Sequence, residues 1–590
     1  MSHSPNTDTE SDRPHRRVSR RQLLAGGAVA LVGTSAGCVQ EAQSVLGRSG
    51  GSQISVSIAA VVADADPKAT QIARRLREHL ESVGISAGID YYGTEEFRLA
   101  VLVNTDFDIA VMRHPGGRNP DFLYEQFHSS FGPESGWQNP YGFSDFTIDE
   151  LLESQRNETG EQRRETVGDL LGHLSTQQPI TPICVPEQSR LVRQETVSGA
   201  SGRRFDQSSD LLALESEESE LRVGIRRTAP TENLNPLSAE YRETDVVIGL
   251  LYDSLLIKSD GEYLPWLAND VSWDGSTATV TLRETAWHDG EPVTVSDVTF
   301  TYQLLQDTSL GTLESPAPAP RFRGQSTLVS DVEPRDEHTV RVSMDASTEV
   351  APRALTIPIL PEHIWRDRTE AADIAGFTGD RATTDAIVTE NVPAVGSGPY
   401  TFESRSRRNE LTLKRTDGHF STTAEQLSEF APPAPEFRFV VIPSDEGAVE
   451  GIENGDIALT LSPLWRDAVP TERPDYTEQD AQTAETYQIA YNTRNHPLSN
   501  PQFRHIVARL IDRSWLVSEL FDGHARPIIS PVTDEQWVPL ALQVGPGQAH
   551  PELPFFGENG ELDVEQTRTR LLERGYQYNE DGELLAVGDD

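Results

Sequence analysis

Residues 568–590, RTRLLERGYQYNEDGELLAVGDD, decide how the rest of the chain is read. Leu571, Leu572 and Tyr576 fall in the last turns of an amphipathic helix. Gly575 sits where a residue free to take positive φ ends a helix. Asn579, Asp581 and Gly582 then make a turn. Helix and turn call for a strand, yet almost nothing follows, so its continuation must be sought elsewhere in the sequence.

Working outward, 590 residues are too many for one core, and two or more lobes are expected. Asp and Glu number 93 against 50 Lys and Arg, a formal net charge of -43. Lysine occurs only at 68, 258 and 414. Such a surface repels itself in dilute buffer, and at molar salt a Debye length of about 3 Å screens it. The composition resembles that of proteins from salt-accumulating halophiles. Nucleic acid is excluded as a partner, because phosphate binding needs clustered Lys and Arg.

The start of the chain carries an address. Arg20 and Arg21 precede an apolar stretch, 23–32, that is shorter than the roughly 20 residues of a membrane span. Ser19-Arg20-Arg21-Gln22-Leu23-Leu24 resembles a twin-arginine export signal. Ser35-Ala36-Gly37-Cys38 resembles a lipobox, which implies lipidation of Cys38. Residues 1–38 thus read as a twin-arginine lipoprotein signal and 39–52 as a tether. Cys184 is the only other cysteine, so no disulfide and no cysteine metal site is expected.

The body opens as strand–helix–strand over 54–92, with Ile72, Leu76, Leu80 and Val83 at helical spacing and Gly84 as the cap. Residues 107–115 (FDIAVMRHP) read as a strand running into a loop, 148–174 as helical, and 179–186 (PITPICVP) as a proline-bounded strand. The acidic run at 201–220 reads as a linker. From Leu221 the sequence behaves as though a protein were beginning again.

The segments that follow resemble the family 5 solute-binding proteins of ABC importers, the oligopeptide, dipeptide and nickel group. The resemblance rests on Leu251-Tyr252-Asp253-Ser254-Leu255, Leu264-Pro265-Trp266-Leu267-Ala268, Trp287-His288-Asp289-Gly290 and Val295-Ser296-Asp297-Val298. Gly396-Ser397-Gly398-Pro399-Tyr400, Asn492-Thr493, Ala508 and Ile511-Asp512-Arg513 extend it in family order from 221 to 576. In that family the helix resembling TRLLERGY is followed by the elements found here at 54–200. The resemblance therefore implies a circularly permuted chain, with old termini joined by the linker and new ones opened after Gly582. The competing arrangement is a tandem of two domains, which would leave 53–200 as a separate unit.

The fold implied is α/β: a two-lobed periplasmic-binding-protein-like fold, type II or cluster C-like, permuted, with a ligand cleft between the lobes. Residues 53–178 form the first half of lobe II and 179–200 a return strand to lobe I. After the linker at 201–220, lobe I runs over 221–485 and the second half of lobe II over 486–590. The strand at 487–492 is expected to be a crossover between lobes.

Such proteins enclose a ligand by hinge closure, so no enzyme, cofactor or metal is expected. His288-Asp289 reads as a turn before a helix, and His363 as a helix start. The informative cleft segment is 112–127, MRHPGGRNPDFLYEQF. Dipeptide binders of the family hold an acidic anchor for the ligand's ammonium group where this chain has Gly116. Arg113 and Arg118 suggest a carboxylate or other anion instead, by bidentate guanidinium bonding. His114 and Asn119 lie beside them. Trp137 and Trp465 are candidate apolar walls, and Asn235 and Tyr252 come from the facing lobe. The resemblance implies a monomer that captures a peptide or other small solute and delivers it to ABC permease subunits. It would be lipid-anchored on the extracytoplasmic face of the membrane. An alternative is a sensor or scaffold of the same fold with no transport role.

Overall fold

A computed structural model describes residues 52–586, apart from 242–245, 315, 373–382, 471–475, 546–549 and 551. The signal at 1–38, with Cys38, and all of the tether except Ser52 lie outside the described residues.

Strand Ser55–Val61 alternates as a strand between two layers must: Val56, Ile58 and Ala60 enter one buried cluster and Ala59 another. It pairs in parallel with Ser86–Tyr92 and with Ile109–His114. The crossover helix is Pro67–Ser82. Asp66 caps it, its carboxylate accepting from the Ala69 amide at 2.9 Å, and Pro67 sits at the first turn, where no amide is needed. Ile72, Ala73, Leu76 and Leu80 are fully buried along one face.

Strand Thr486–Tyr491, from the far end of the sequence, inserts between Ile109–His114 and Ile180–Pro186, antiparallel to both. With Ala525–Pro527 at the edge, this completes a six-stranded sheet. Leu76, Leu80, Phe503, Val507, Leu571, Tyr576 and Leu584 share one core on one side of it. The His79 imidazole meets the Leu510 carbonyl at 2.6 Å. Residues 53–200 are therefore not a separate unit, as a tandem arrangement requires; the described residues from 52 to 586 form one compact body.

The described part of the C-terminal stretch, 568–586, closes onto the same lobe. Helix Val564–Glu573 buries Leu571, and Gln577–Tyr578 pairs with Leu584–Leu585. The Ile54 amide donates to Leu584 O and the Leu584 amide to Gly84 O, both at 2.8 Å. Gly84 has φ +91°, and a Cβ there would strike the Gly582 carbonyl. Glycine serves both the helix end and this close approach.

The second lobe is built on a larger sheet. Its order runs Tyr400–Ser406, Glu410–Arg415, Glu436–Val441, Glu220–Ile225, Leu459–Thr460, Gln188–Val192, Leu464–Trp465. A four-stranded sheet and helix Val295–Gln306 complete a single large core. Leu191 and Leu221 both lie on strands of the larger sheet.

Three local readings differ from the structure. The 148–174 helix is two helices, Phe146–Asn157 and Gly160–Gln177, because Glu158 is extended and Gly160 takes φ +60°. The 179–200 segment is divided between lobes, Ile180–Pro186 lying in the six-stranded sheet and Gln188–Val192 in the other. Residues 201–220 are packed against the second lobe's core. Phe205, Leu211 and Leu212 are buried there, and Ser208–Leu212 is a short helix.

Candidate functional site

Two chain segments cross between the lobes. Glu187 joins Ile180–Pro186 to Gln188–Val192, and 481–485 join Thr477–Asp480 to Thr486–Tyr491. A cleft of about 380 Å³ opens against the second crossover. One wall is the loop after Ile109–His114, carrying Gly116 to Asn119, with Phe122 behind it. The opposite wall comes from the other lobe: Arg204, residues 206–208, Tyr252, Lys258, Tyr263 and Arg353.

Three of the eight residues singled out from sequence line this cleft. Arg118 donates to the Gln482 carbonyl of the crossover and lies 3.5 Å from the Asp206 carboxylate of the facing wall. Burial depresses its pKa, the positive charge of Arg204 adds to that, and Asp206 opposes it. The Asn119 side-chain oxygen accepts from the Asp121 amide at 3.1 Å and from Arg163 at 2.6 Å, which fixes the loop. The Tyr252 hydroxyl accepts from Asn391 at 2.7 Å, and burial raises its pKa far above the usual phenol value.

The other five stand outside the cleft lining. Arg113 pairs with Glu485 and lies over the Tyr487 ring. His114 is buried edge-on to Trp137, centroids 5.5 Å apart, and its Nδ1 accepts from the Gly116 amide at 3.0 Å. Trp137 belongs to the core beneath it. Asn235 donates to the Ala386 carbonyl at 2.8 Å and the Thr389 carbonyl at 3.0 Å. Trp465 packs on Phe521, with Lys68 over its ring.

Gly116 has a physical reason to be glycine. Its φ is +65°, and a Cβ would collide with the Ala484 carbonyl of the crossover. No side chain, acidic or otherwise, fits there without moving the backbone.

Sequence reasoning missed Arg190, Arg204, Lys258 and Arg353, all of which face the cleft. Arg204 lay in the supposed linker, where the buried Phe205 beside it was the available signal. Arg190 donates to Leu461 O at 2.8 Å and Ala481 O at 2.9 Å, and burial lowers its pKa to about 10.

Ion pairs join the lobes around the cleft. Asp121, fully buried, accepts from Arg156 at 2.6 Å within its own lobe and from Arg353 across the gap. Burial alone would raise its pKa, but Arg156 and Arg353 together hold it below the ordinary carboxylate range. Glu134 and Arg323 form a bidentate pair, both contacts at 2.9 Å, also from lobe to lobe.

His288 and His363 serve structure. The His288 ring bonds backbone of the 396–398 turn, with Gly396 N at 3.2 Å and Gly398 O at 3.0 Å. His363 pairs with Asp289 at 2.8 Å on the surface.

Two α/β lobes, two crossovers and a polar cleft against one of them define the class of two-lobed solute-binding proteins. Residues 262–587 match the family model described as bacterial extracellular solute-binding proteins, family 5 Middle, and the chain belongs to that family. It is similar to the probable peptide-binding protein YejA of Agrobacterium fabrum, 28% identical over 197 residues, covering 32% of this chain and 29% of that one. It is also similar to the oligopeptide-binding protein OppA of Bacillus subtilis, 21% identical over 315 residues, covering 51% and 54%. A solved structure of NikZ from Campylobacter jejuni with Ni(L-His) overlays with a TM-score of 0.42 at 17% identity, covering 63% of this chain and 66% of that one. The chain spans from 29% to 54% of the length of these two curated relatives. Among the described residues, no helix is long and apolar enough to cross a membrane.

Proposed function

We propose that this protein captures a peptide-like or other small polar solute between its two lobes and delivers it to an ABC permease. The observation that carries the reading is the cleft itself. It lies against a crossover, takes its walls from both lobes, and is bordered by ion pairs that join them. Rotation about the crossovers would break those pairs and open the cleft, which is how a hinge protein admits and encloses a ligand. The relatives named for peptide binding point to the solute class. Arg118, Asn119 and Tyr252 are the sequence-derived residues that would meet it. Arg113, His114, Trp137, Asn235 and Trp465 would hold the walls in place.

The proposal extends to the architecture and the address. The chain is read as circularly permuted, with 53–178 and 486–590 forming one lobe and 221–485 the body of the other. Support comes from the strand Thr486–Tyr491 lying between strands from 109–114 and 180–186. Export by the twin-arginine route and lipidation at Cys38 rest on the sequence signals.

The test is direct. Protein purified in molar salt is denatured, and released small molecules are identified by mass spectrometry, then titrated back onto ligand-free protein. Stoichiometric rebinding with a fall in radius of gyration is expected. Failure of every released molecule, and of a di- to pentapeptide mixture, to bind would overturn the reading.

A further inference from the structure

The charge of the cleft is opposite to that of the chain. Six basic residues face it: Arg118, Arg190, Arg204, Lys258, Arg321 and Arg353. Among the described residues three carboxylates line it, Glu125, Asp206 and Glu485. Asp206 lies 3.5 Å from Arg118, and Glu485 pairs with Arg113. In a protein with net charge -43, this pocket holds an excess of positive charge.

Two of the cations stand apart from the others. Arg353 is tied to Asp121, and Arg190 to two carbonyls. The side chains of Lys258 and Arg204, by contrast, have no hydrogen-bond or ion-pair partner among the described residues. Both are half-buried, so neither is simply solvated. Lys258 projects from strand Leu256–Ser259, its ammonium 5.8 Å from the centroid of the Tyr263 ring. Burial lowers its pKa, the charges of Arg353, Arg118 and Arg204 lower it further, and the Asp206 carboxylate opposes them. A half-buried cation whose cationic neighbours outnumber the one carboxylate opposing them, Asp206, itself 3.5 Å from Arg118, is held at a cost, which an anion seated among them removes.

We infer that Lys258 and Arg204 form an anion subsite, and that the solute carries a carboxylate or phosphate group placed between them. The inference rests on the reading of the cleft as the solute site and names the class of solute. It also shifts the anion contact first sought at Arg113 and Arg118, which are paired with Glu485 and Asp206. Arg118 and Arg353 border the subsite and set its polarity through their charge.

The experiment uses the full chain, freed of copurified ligand, in molar potassium chloride. Calorimetric titrations are run with trialanine, trialanine amide, citrate and inorganic phosphate. They are repeated on Lys258→Met, Arg204→Gln and, as a remote control of equal charge change, Lys414→Met. Trialanine and its amide differ at the terminal carboxylate alone. The subsite predicts that at least one anionic probe binds, and that trialanine binds more tightly than its amide wherever both are measurable. Affinity for the anionic probe should fall roughly tenfold or more in Lys258→Met and Arg204→Gln, as expected for loss of a charge-assisted bond, and stay unchanged in Lys414→Met. Whether citrate or phosphate binds tighter assigns the group. Equal binding of trialanine and its amide, indifferent to both variants, would overturn the subsite while leaving the solute-binding reading intact. No binding by any of the four probes would overturn the subsite. Loss of rebinding by the released molecules as well would overturn both.

Discussion

Replacing Arg323 with Met tests whether the lobes are held closed by ion pairs independent of the ligand. Arg323 meets Glu134 through two contacts of 2.9 Å, and its guanidinium lies 5.5 Å from the Phe131 ring centroid. The Glu134 side chain is 3% exposed and that of Arg323 21%. Breaking a fully buried pair costs about 3–5 kcal/mol, and an exposed one about 0–1 kcal/mol. A pair buried on one side and edged by solvent on the other falls between, at about 2–3 kcal/mol. Neither residue lines the cleft, so ligand contacts are untouched. The loss falls on the closed form, because opening separates the two residues. At about 1.4 kcal/mol per tenfold, the opening equilibrium should rise roughly 30- to 140-fold. Small-angle scattering of the ligand-free protein should show a larger radius of gyration for Arg323→Met. A double-mutant cycle with Glu134→Gln should return a coupling of similar size. Unchanged scattering with a lowered melting temperature would refute the reasoning, since the pair would then support the fold and not the closure.

Four further outcomes are expected. Gly116→Asp should not create a dipeptide anchor: its Cβ meets the Ala484 carbonyl at positive φ, so a loss of about 1–3 kcal/mol in unfolding free energy should accompany weaker solute binding; a gain in dipeptide affinity by calorimetry would contradict this. Burial lowers the pKa of His79, His288 and His505 below 6.5, so the unfolded state takes up protons first. Their contribution to stability is complete above pH 6.5 and declines as pH falls through it, and His79→Gln should flatten the melting-temperature profile between pH 7 and 5. Cys38→Ala should move the protein from the membrane fraction to the medium; retention at the wild-type level would sink the lipobox reading. An isolated 53–200 fragment should show no cooperative melt, because strand Thr486–Tyr491 is missing from the middle of its sheet; a sharp transition would count against the permuted reading.

Local elements with complete signals were legible in the sequence. The helix read over 68–83 is Pro67–Ser82, and the strand read over 487–492 is Thr486–Tyr491. The helix carries its own cap and a periodic apolar face, and the strand is buried along its whole length. Segments whose apolar residues are few and scattered were harder. Phe205, Leu211 and Leu212 sit among acidic residues, and the charge concealed that they anchor 201–220 to a core. The break at Glu158 hides inside a polar helix, where only Gly160 marks it.

The site was less legible for a different reason. A strand's side chains alternate, so Arg113 and His114 cannot both face one cleft, and the period of two already says so. Their observed roles follow from it, Arg113 turning to Glu485 and His114 inward to Trp137. Residues from the facing lobe have no such local rule. Lys258 and Arg204 are separated by more than fifty positions, and only the packing of the segment at 201–220 brings both to the same cleft. What the sequence does supply is contrast. Where acidic side chains outnumber basic ones 93 to 50, a half-buried lysine, one of three, stands out against its background. Salt strengthens the point. At molar ionic strength the long-range repulsion between an anion and the acidic surface is screened within about 3 Å, while a cation in direct contact still acts. In molar salt, direct contacts such as those proposed for Lys258 and Arg204 are therefore the part of anion recognition that survives screening.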